Sequence, residues 1–367
     1  MKTVTRITCT SILLLTLCLV FAFTAQAADT TRQYQLEKNG NGYRLVLKEN
    51  VPVPELQAHQ VLVRVHAASL NHRDVYILQG LYPGGDMSGH VPLSDGAGEV
   101  IAVGPQVSRF KKGDRVVGTF FLSWIDGKVS PAYFPTGRGA TVDGMLSEKM
   151  IANEESLLPI PAHLSYEEAS TLPCAGVTAW NGLFTRGRMT SGEYVLLEGT
   201  GGVSIFGLQF AVAAGAKPII TSSSDAKLAR AKALGAVGTV NYRKVPDWQV
   251  TVRSLTNDVG VSQVLEVGGK NTLPRAVQAL AFGGHIAMIG GLSGFIDNLE
   301  ISSFLRSGAS VSSIYVGSRA DFAAMNAFIS KHKIKPVVDK VFSFDDTPAA
   351  YQYMESGKHF GKIVIKL

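Results

Sequence analysis

Cysteine is nearly missing from this chain of 367 residues, with only Cys9, Cys18 and Cys174. The first two fall in a short N-terminal segment, so one thiol is left for everything after it. A lone thiol makes no internal disulfide, and without a cysteine cluster there is no structural zinc of the four-ligand kind. Charged residues are also sparse, at 17%, and nowhere do lysines and arginines gather into a dense run. The sequence therefore carries no footprint of a nucleic-acid-binding surface. Internal repeats and low-complexity tracts are absent, which argues against a solenoid. Beyond residue 27 no apolar run approaches the roughly 20 residues that span a bilayer, so no membrane span is expected once that segment is removed.

The N-terminal segment has three parts. Lys2 and Arg6 form a basic start, "SILLLTLCLVFAF" (11–23) is apolar, and Ala25-Gln26-Ala27 is a small-x-small site before Ala28-Asp29. That is the layout of a secretory signal peptide, with cleavage after Ala27. The apolar part is shorter than a comfortable membrane helix, although an uncleaved anchor is the alternative. With no twin-arginine pair, export of the unfolded chain out of the cytoplasm, to the periplasm, is the expectation; the chain stays cytoplasmic if the signal is unused. Lys+Arg exceed Asp+Glu by 35 to 29. Without Lys2 and Arg6 the excess is +4, enough for solubility or a local anionic ligand. Hydrophobic residues make up 46%, and the chain is long enough for a large core without disulfides.

Residues 28–155 read as a β-rich, barrel-like domain. "YRLVLKE", "HQVLVRVHA", "GAGEVIAVG" and "GDRVVGTF" are short, β-branched and bounded by turn residues. Residues 123–143 have no period and form a long surface loop, a lid or an ordered connection. From about residue 165 strands and helices alternate: "EYVLLE" (193–198), a helix over 203–216, "KPIITS" (217–222), a helix over 225–236, then "GTVNY", "VSQVLEVGG" and "GHIAMIGG". Repeated β-α units of this length predict a parallel, doubly wound sheet over 156–317. The segment 318–367 holds one helix and a closing strand, "GKIVIKL", that returns to the first domain.

The sharpest motif is "VLLEGTGGVSIFG" (195–207), in which a buried strand runs into Gly199-Thr200-Gly201-Gly202 and a helix starts at Val203. Glycines allow the sharp turn and close approach of a pyrophosphate, and the helix N-terminus offers free N–H groups. Ser204 stands at the third glycine position and is small enough for close packing. A plain glycine turn would look the same without this strand-to-helix setting. The second strand ends on Ser222, Ser223 and Ser224, with no acidic residue at its tip, and Asp225 reads as a helix cap. Those hydroxyls, Lys227, and Tyr242 with Arg243 suit a 2′-phosphate, so NADPH is expected over NADH.

"SLNHRD" (69–74) places His72 and Asp74 together and raises the question of a metal site. Together with "PLSDGAGEVIAVG", "LPCAGVTAW", "GTGGVS" and "GKHFGKIVIKL", it resembles the medium-chain dehydrogenase/reductase superfamily from about residue 32 to the C-terminus. The resemblance implies a GroES-like catalytic domain, a Rossmann cofactor domain and a cleft between them. Zinc-dependent members carry Cys where Asn71 stands, and Gly-His-Glu where Leu93-Ser94-Asp95 stand; only Cys174 matches a ligand position of some zinc members. A catalytic zinc needs three good protein ligands, so no metal is expected. Asn71, Asp74 and Tyr76 are instead similar to the Asn-x-x-Asp-x-Tyr of the zinc-free quinone oxidoreductase (zeta-crystallin-like) branch. There they imply residues lining the nicotinamide end of the cleft, where an amide and a phenol can orient a carbonyl oxygen. The same resemblance places Thr178 near the nicotinamide and the Gly268 and Gly290 turns near its carboxamide. Gly361-Lys362 match a C-terminal motif of structural or cofactor role, and a homodimer along the edge of the nucleotide-binding sheet is implied.

The expected activity is zinc-independent hydride transfer from NADPH to a small-molecule quinone or α,β-unsaturated carbonyl. An alcohol dehydrogenase-like carbonyl reductase is the enzymatic alternative. A non-catalytic exported binding protein on the same scaffold is the alternative of another class, and it predicts lost cofactor affinity.

Overall fold

The computed structural model describes residues 29–294 and 301–367, so the expected signal segment lies outside the described residues. In the first domain, β1 (Thr30–Asn39) and β2 (Gly42–Pro52) form an antiparallel hairpin. The alternating stretch around Val61-Leu62-Val63 builds β3 (Gln60–Leu70), which pairs with β4 (Asp95–Val103) and β6 (Lys149–Asn153). β5 (Arg115–Gly118) then joins β4 to β7 (Leu157–Pro159). Val61, Val63, Val65, Val100 and Val116 fill the barrel with Met145 and Leu157. Between β3 and β4 the chain forms α1 (His72–Leu78). The polar stretch that follows β3 is thus a helix start. Asp74 returns its carboxylate to the Asn71 N–H at 2.7 Å, as acidic residues do at the third helical position.

The 123–143 loop is pinned. Trp124 is buried and stacks on Tyr133, and Pro131–Thr136 forms a short 3₁₀ turn. The buried Arg138 guanidinium donates to the Thr119 carbonyl and the Ser156 hydroxyl. Burial lowers that guanidinium to about 10.

A helical connection, α2 (Tyr166–Ser170) and α3 (Val177–Trp180), leads to the second domain, with wider turns at Leu172–Gly176 and Asn181–Arg186. There β8 (Tyr194–Leu197), α4 (Gly202–Ala213), β9 (Lys217–Ser222), α5 (Asp225–Ala233), β10 (Gly238–Asn241), α6 (Trp248–Leu255), β11 (Val261–Glu266), α7 (Leu273–Ala279), β12 (Leu280–Met288), α8 (Ile301–Ser307) and β13 (Ser310–Ser313) follow in turn. The sheet is parallel, in the order β10-β9-β8-β11-β12-β13. The strand order reverses between β8 and β11, and in such sheets ligands bind in the crevice outside that point.

The cap of α5 is Ser224 rather than Asp225: its hydroxyl accepts from the Lys227 N–H. The last segment does not return at once. α9 (Arg319–His332) first packs Phe322, Met325 and Ile329 into the core that holds Phe206 and Phe210. β14 (Val338–Ser343), α10 (Thr347–Glu355) and β15 (Lys362–Lys366) then join the first domain, β15 lying antiparallel to β3 with Ile363 opposite Leu70. On its way β15 passes the glycine turn: the Gly361 N–H donates to the Thr200 carbonyl at 3.0 Å. Among the described residues no helix is long and apolar enough to cross a membrane.

Candidate active site

Two elements that are distant in sequence converge where β15 meets the start of α1. The ammonium of Lys362, 2% exposed, donates to the Leu70 carbonyl and to Asn71 Oδ1, both at 2.6 Å, and stands 3.4 Å from Asp95 Oδ2. Asp95 is fully buried and also accepts from the hydroxyls of Ser69 and Ser94. With Oδ1 occupied, the Asn71 side chain has one orientation open to it. Its buried Nδ2 has no hydrogen-bond partner in the protein. An unpaired buried donor is costly, so a free amide here is a feature that a ligand oxygen satisfies.

Asp74 lies behind this amide rather than in the cleft, 1% exposed, with Arg73 3.8 Å from its other oxygen. Burial pushes Asp74 up to about 6, and Arg73 pulls against it. Its role is to position Asn71 and the helix start. Tyr76 is half-buried, and its ring meets the edge of exposed His72 at 4.5 Å. Leu93 adopts φ +68, a left-handed backbone that a leucine rarely takes and that a glycine takes freely.

At the glycine turn, Gly199 has φ +73 and open space where a side chain would go. A Cβ on Gly202 would meet the Lys362 stem at 2.7 Å and Ala175 at 3.1 Å, so glycine there permits the two domains to close on each other. Gly201 caps α4 without a side-chain acceptor, leaving the first helical N–H groups, at Gly202 and Val203, for a ligand anion. Ser204 donates to the Glu198 carbonyl at 2.6 Å, tying helix to strand at the third position of the motif. These features fit the diphosphate of a dinucleotide. His359 borders the turn; burial holds it down to about 4, so it is a neutral imidazole at neutral pH, and its buried Nδ1 has no partner.

The remaining expected cofactor residues divide. Thr178 is buried on α3, close in sequence to Cys174. The Thr200 and Ser222 hydroxyls lie 3.4 Å apart and are both buried, whereas Ser223 is half-exposed at the strand tip. Lys227 is committed to the Gly357 carbonyl at 2.7 Å, and Tyr242 is exposed. Asp225 is held by Asn241 and Lys244. The N–H of Gly268 is already taken by Glu266 Oε1 and that of Gly290 by the Glu266 carbonyl, so both glycines shape turns rather than offer donors.

Sequence reasoning missed a buried acid pair under this turn. Glu198 and Glu266 end neighbouring strands, are 3% and 0% exposed, and face each other. Glu266 Oε1 accepts from Gly268, Gly269 and Thr272. Burial, then the charge of Glu266, hold Glu198 well above the usual carboxylate range. A carboxyl whose pKa rises on folding favours the folded state at low pH and loses that advantage as pH rises. Above the ordinary glutamate value, wild-type stability should fall by up to about 1.4 kcal/mol per pH unit. Glu198→Gln should flatten that slope and be more stable than wild type at pH 8, as read by denaturant unfolding at pH 5.5 and 8; parallel slopes would mean that Glu198 is ionised in the fold.

The positions expected for zinc ligands hold the Asn71 amide, the Ser94 hydroxyl and Asp95 paired with the Lys362 ammonium. The Cys174 thiol is pushed up to about 12 by burial and then by Asp95. A neutral thiol and an amide beside a fixed ammonium are a poor donor set for zinc. Among the described residues no group of three His, Cys, Asp or Glu stands close enough to hold a metal ion.

Comparison with known proteins bears on both domains. Residues 57–162 match the alcohol dehydrogenase GroES-like domain, and residues 202–331 match the family described as zinc-binding dehydrogenase. A zinc-type alcohol dehydrogenase-like protein of Schizosaccharomyces pombe is 44% identical, over 91% of this chain and 99% of its own length. A quinone oxidoreductase of Rattus norvegicus is 27% identical, over 88% of this chain and 94% of its own. Among solved structures, an alcohol dehydrogenase from Sinorhizobium meliloti superposes with a TM-score of 0.86 at 38% identity, covering 92% of this chain and 99% of its own.

Proposed function

We propose a reaction from one premise: the chain belongs to the medium-chain dehydrogenase/reductase superfamily and is an NAD(P)H-dependent oxidoreductase acting on a small molecule. The reaction is zinc-independent reduction of a quinone or an α,β-unsaturated carbonyl with NADPH. The observation that carries it is the Asn71 amide, whose oxygen is tied to Lys362 and whose buried nitrogen is left as a free donor. NADPH, when bound at the glycine turn, supplies the hydride.

The chain's own residues then do three things. The Asn71 amide donates to the acceptor's carbonyl oxygen and stabilises the negative charge that develops there. The nearby Lys362 ammonium adds a fixed positive field from behind without touching the substrate. Tyr76, half-buried on the same helix, supplies a phenol as a second orienting group. With a quinone as acceptor the quinol anion is a stable product, so no strong acid is required of the protein; with an enone the resulting enolate takes its proton at the α carbon from solvent.

NADPH is favoured because the β9 tip offers the half-exposed Ser223, and the carboxylate two residues on, Asp225, is paired with Lys244. Export to the periplasm is part of this reading and rests on residues 1–27; fractionation would test it. A homodimer rests on the open edge strand β13, next to the exposed Phe282 and Leu305; a solution mass equal to one chain would oppose it.

The test is NADPH oxidation with quinone and enone acceptors after treatment with a strong chelator. Retained activity supports the reading. Activity lost on chelation and restored by zinc would replace it with the alcohol dehydrogenase-like alternative.

A further inference from the structure

The pinned loop carries a row of rings outward from the site. Phe120, whose face is covered by the buried Arg73 guanidinium at 4.7 Å, meets Phe121 at 4.8 Å. Phe121 meets Phe134 at 6.3 Å, and Phe134 meets Tyr315 at 5.1 Å with the rings tilted by 36°. That last contact crosses from the loop of the catalytic domain to the nucleotide-binding sheet. Both of its rings stay partly open to solvent, Phe134 at 39% and Tyr315 at 47%. Large rings held against each other but left wet lose much of the gain that burial would give them.

Tyr315 is also held in place. It follows β13 at the C-terminal end of the parallel sheet, the end where ligands bind in such folds. The next residue, Val316, has φ +54, a true outlier for a β-branched side chain. Backbone strain of that kind persists only where the surroundings enforce it, and it gathers at ligand sites. Here Asn181 Nδ2 grips the Val316 carbonyl at 2.8 Å, and a Cβ on Gly317 would strike Val177 at 2.7 Å. From the other side, the N–H groups of Arg319 and Ala320 donate to the Trp124 and Ile125 carbonyls, which fixes the loop against α9. Both halves of the ring pair are therefore preset.

We propose that Phe134 and Tyr315 are specificity-determining residues: a two-ring mouth to the acceptor end of the cleft that selects flat, ring-bearing conjugated acceptors over short acyclic ones. The proposal rests on the reductase reading and names its substrate class. An incoming planar ring takes the place each ring now gives the other and buries both, while the buried Phe121 and Phe120 back the pair from the core side.

The experiment compares wild type with Phe134→Ala, Tyr315→Ala and Tyr315→Phe on a naphthoquinone and on but-3-en-2-one. Each alanine variant should raise KM for the naphthoquinone about tenfold, with kcat, NADPH affinity and KM for the small enone unchanged. Tyr315→Phe should behave as wild type, because the ring acts and the hydroxyl does not. Equal effects on both acceptors, or none, would overturn the proposal. Naphthoquinone binding, followed by quenching of tryptophan fluorescence, keeps the two readings apart. If wild type reduces neither acceptor, binding that is weakened in Tyr315→Ala upholds the mouth while the reductase reading falls. Binding that is absent, or unchanged in that variant, rejects the mouth.

Discussion

Lys362→Met is expected to lower kcat about 100-fold, the scale of effect that misplacing a catalytic group produces, and to cost about 3–5 kcal/mol of stability. The stability loss follows from Asp95, a fully buried carboxylate that would lose its cationic partner at 3.4 Å. The rate loss has a different origin. Without the ammonium on Oδ1, the Asn71 amide can turn over and present its oxygen to the cleft, where it repels a substrate oxygen. The double variant Lys362→Met/Asp95→Asn separates the two. Removing the stranded charge should restore most of the stability, whereas kcat should stay low. Recovery of both together would mean that Lys362 is only a structural counter-ion. Parallel measurements of unfolding and kcat on the three proteins decide the matter.

Asn71→Ala is expected to reduce kcat by about 10²–10³, the usual cost of removing one donor to a developing oxyanion. NADPH affinity should be nearly unchanged, because the glycine turn is built from another domain. The helix start should survive, since the Asp74 carboxylate bonds the backbone N–H at position 71, and loss of the Oδ1 acceptor from the buried Lys362 ammonium should cost about 1.5–3 kcal/mol of stability. Asn71→Asp is the sharper variant. A carboxylate keeps an acceptor for Lys362 but has no donor for the substrate, so it should be as inactive as alanine. An Asn71→Ala enzyme with normal kcat would remove this residue from the mechanism.

The doubly wound sheet was legible because each strand, turn and helix there carries its own local signal: apolar runs of strand length, glycines at the turns, and the GTGG motif. The barrel strands were legible by alternation. α1 was not, because seven residues carry too little period, and Asn71-x-x-Asp74 can be a polar knot or a helix cap until the partner of each is known. For the site, Asn71 and Tyr76 were reached by resemblance alone. Their most informative neighbour, Lys362, lies 291 positions away, and no local pattern links the two. One sign was available: a lysine opening the otherwise apolar strand "KIVIK", where every position but the last is buried. The Glu198–Glu266 pair escaped for the same reason, since β8 and β11 have five elements between them in sequence and become neighbours only through the 3-2-1-4-5-6 type of strand order. Lys227 shows the opposite failure. It sits at a sensible position for a phosphate, yet its ammonium is engaged by the Gly357 carbonyl, a residue of the returning segment.

The measurement that tests the central claim most directly is a fluorescence titration of wild type and Ser223→Asp with NADPH and NADH side by side. Tight NADPH binding by wild type, weakened at least about tenfold (1.4 kcal/mol) by a carboxylate at the β9 tip while NADH binding holds or improves, is the predicted result. Binding of neither cofactor by the folded wild-type protein would contradict the account and bring forward a non-catalytic role for this scaffold.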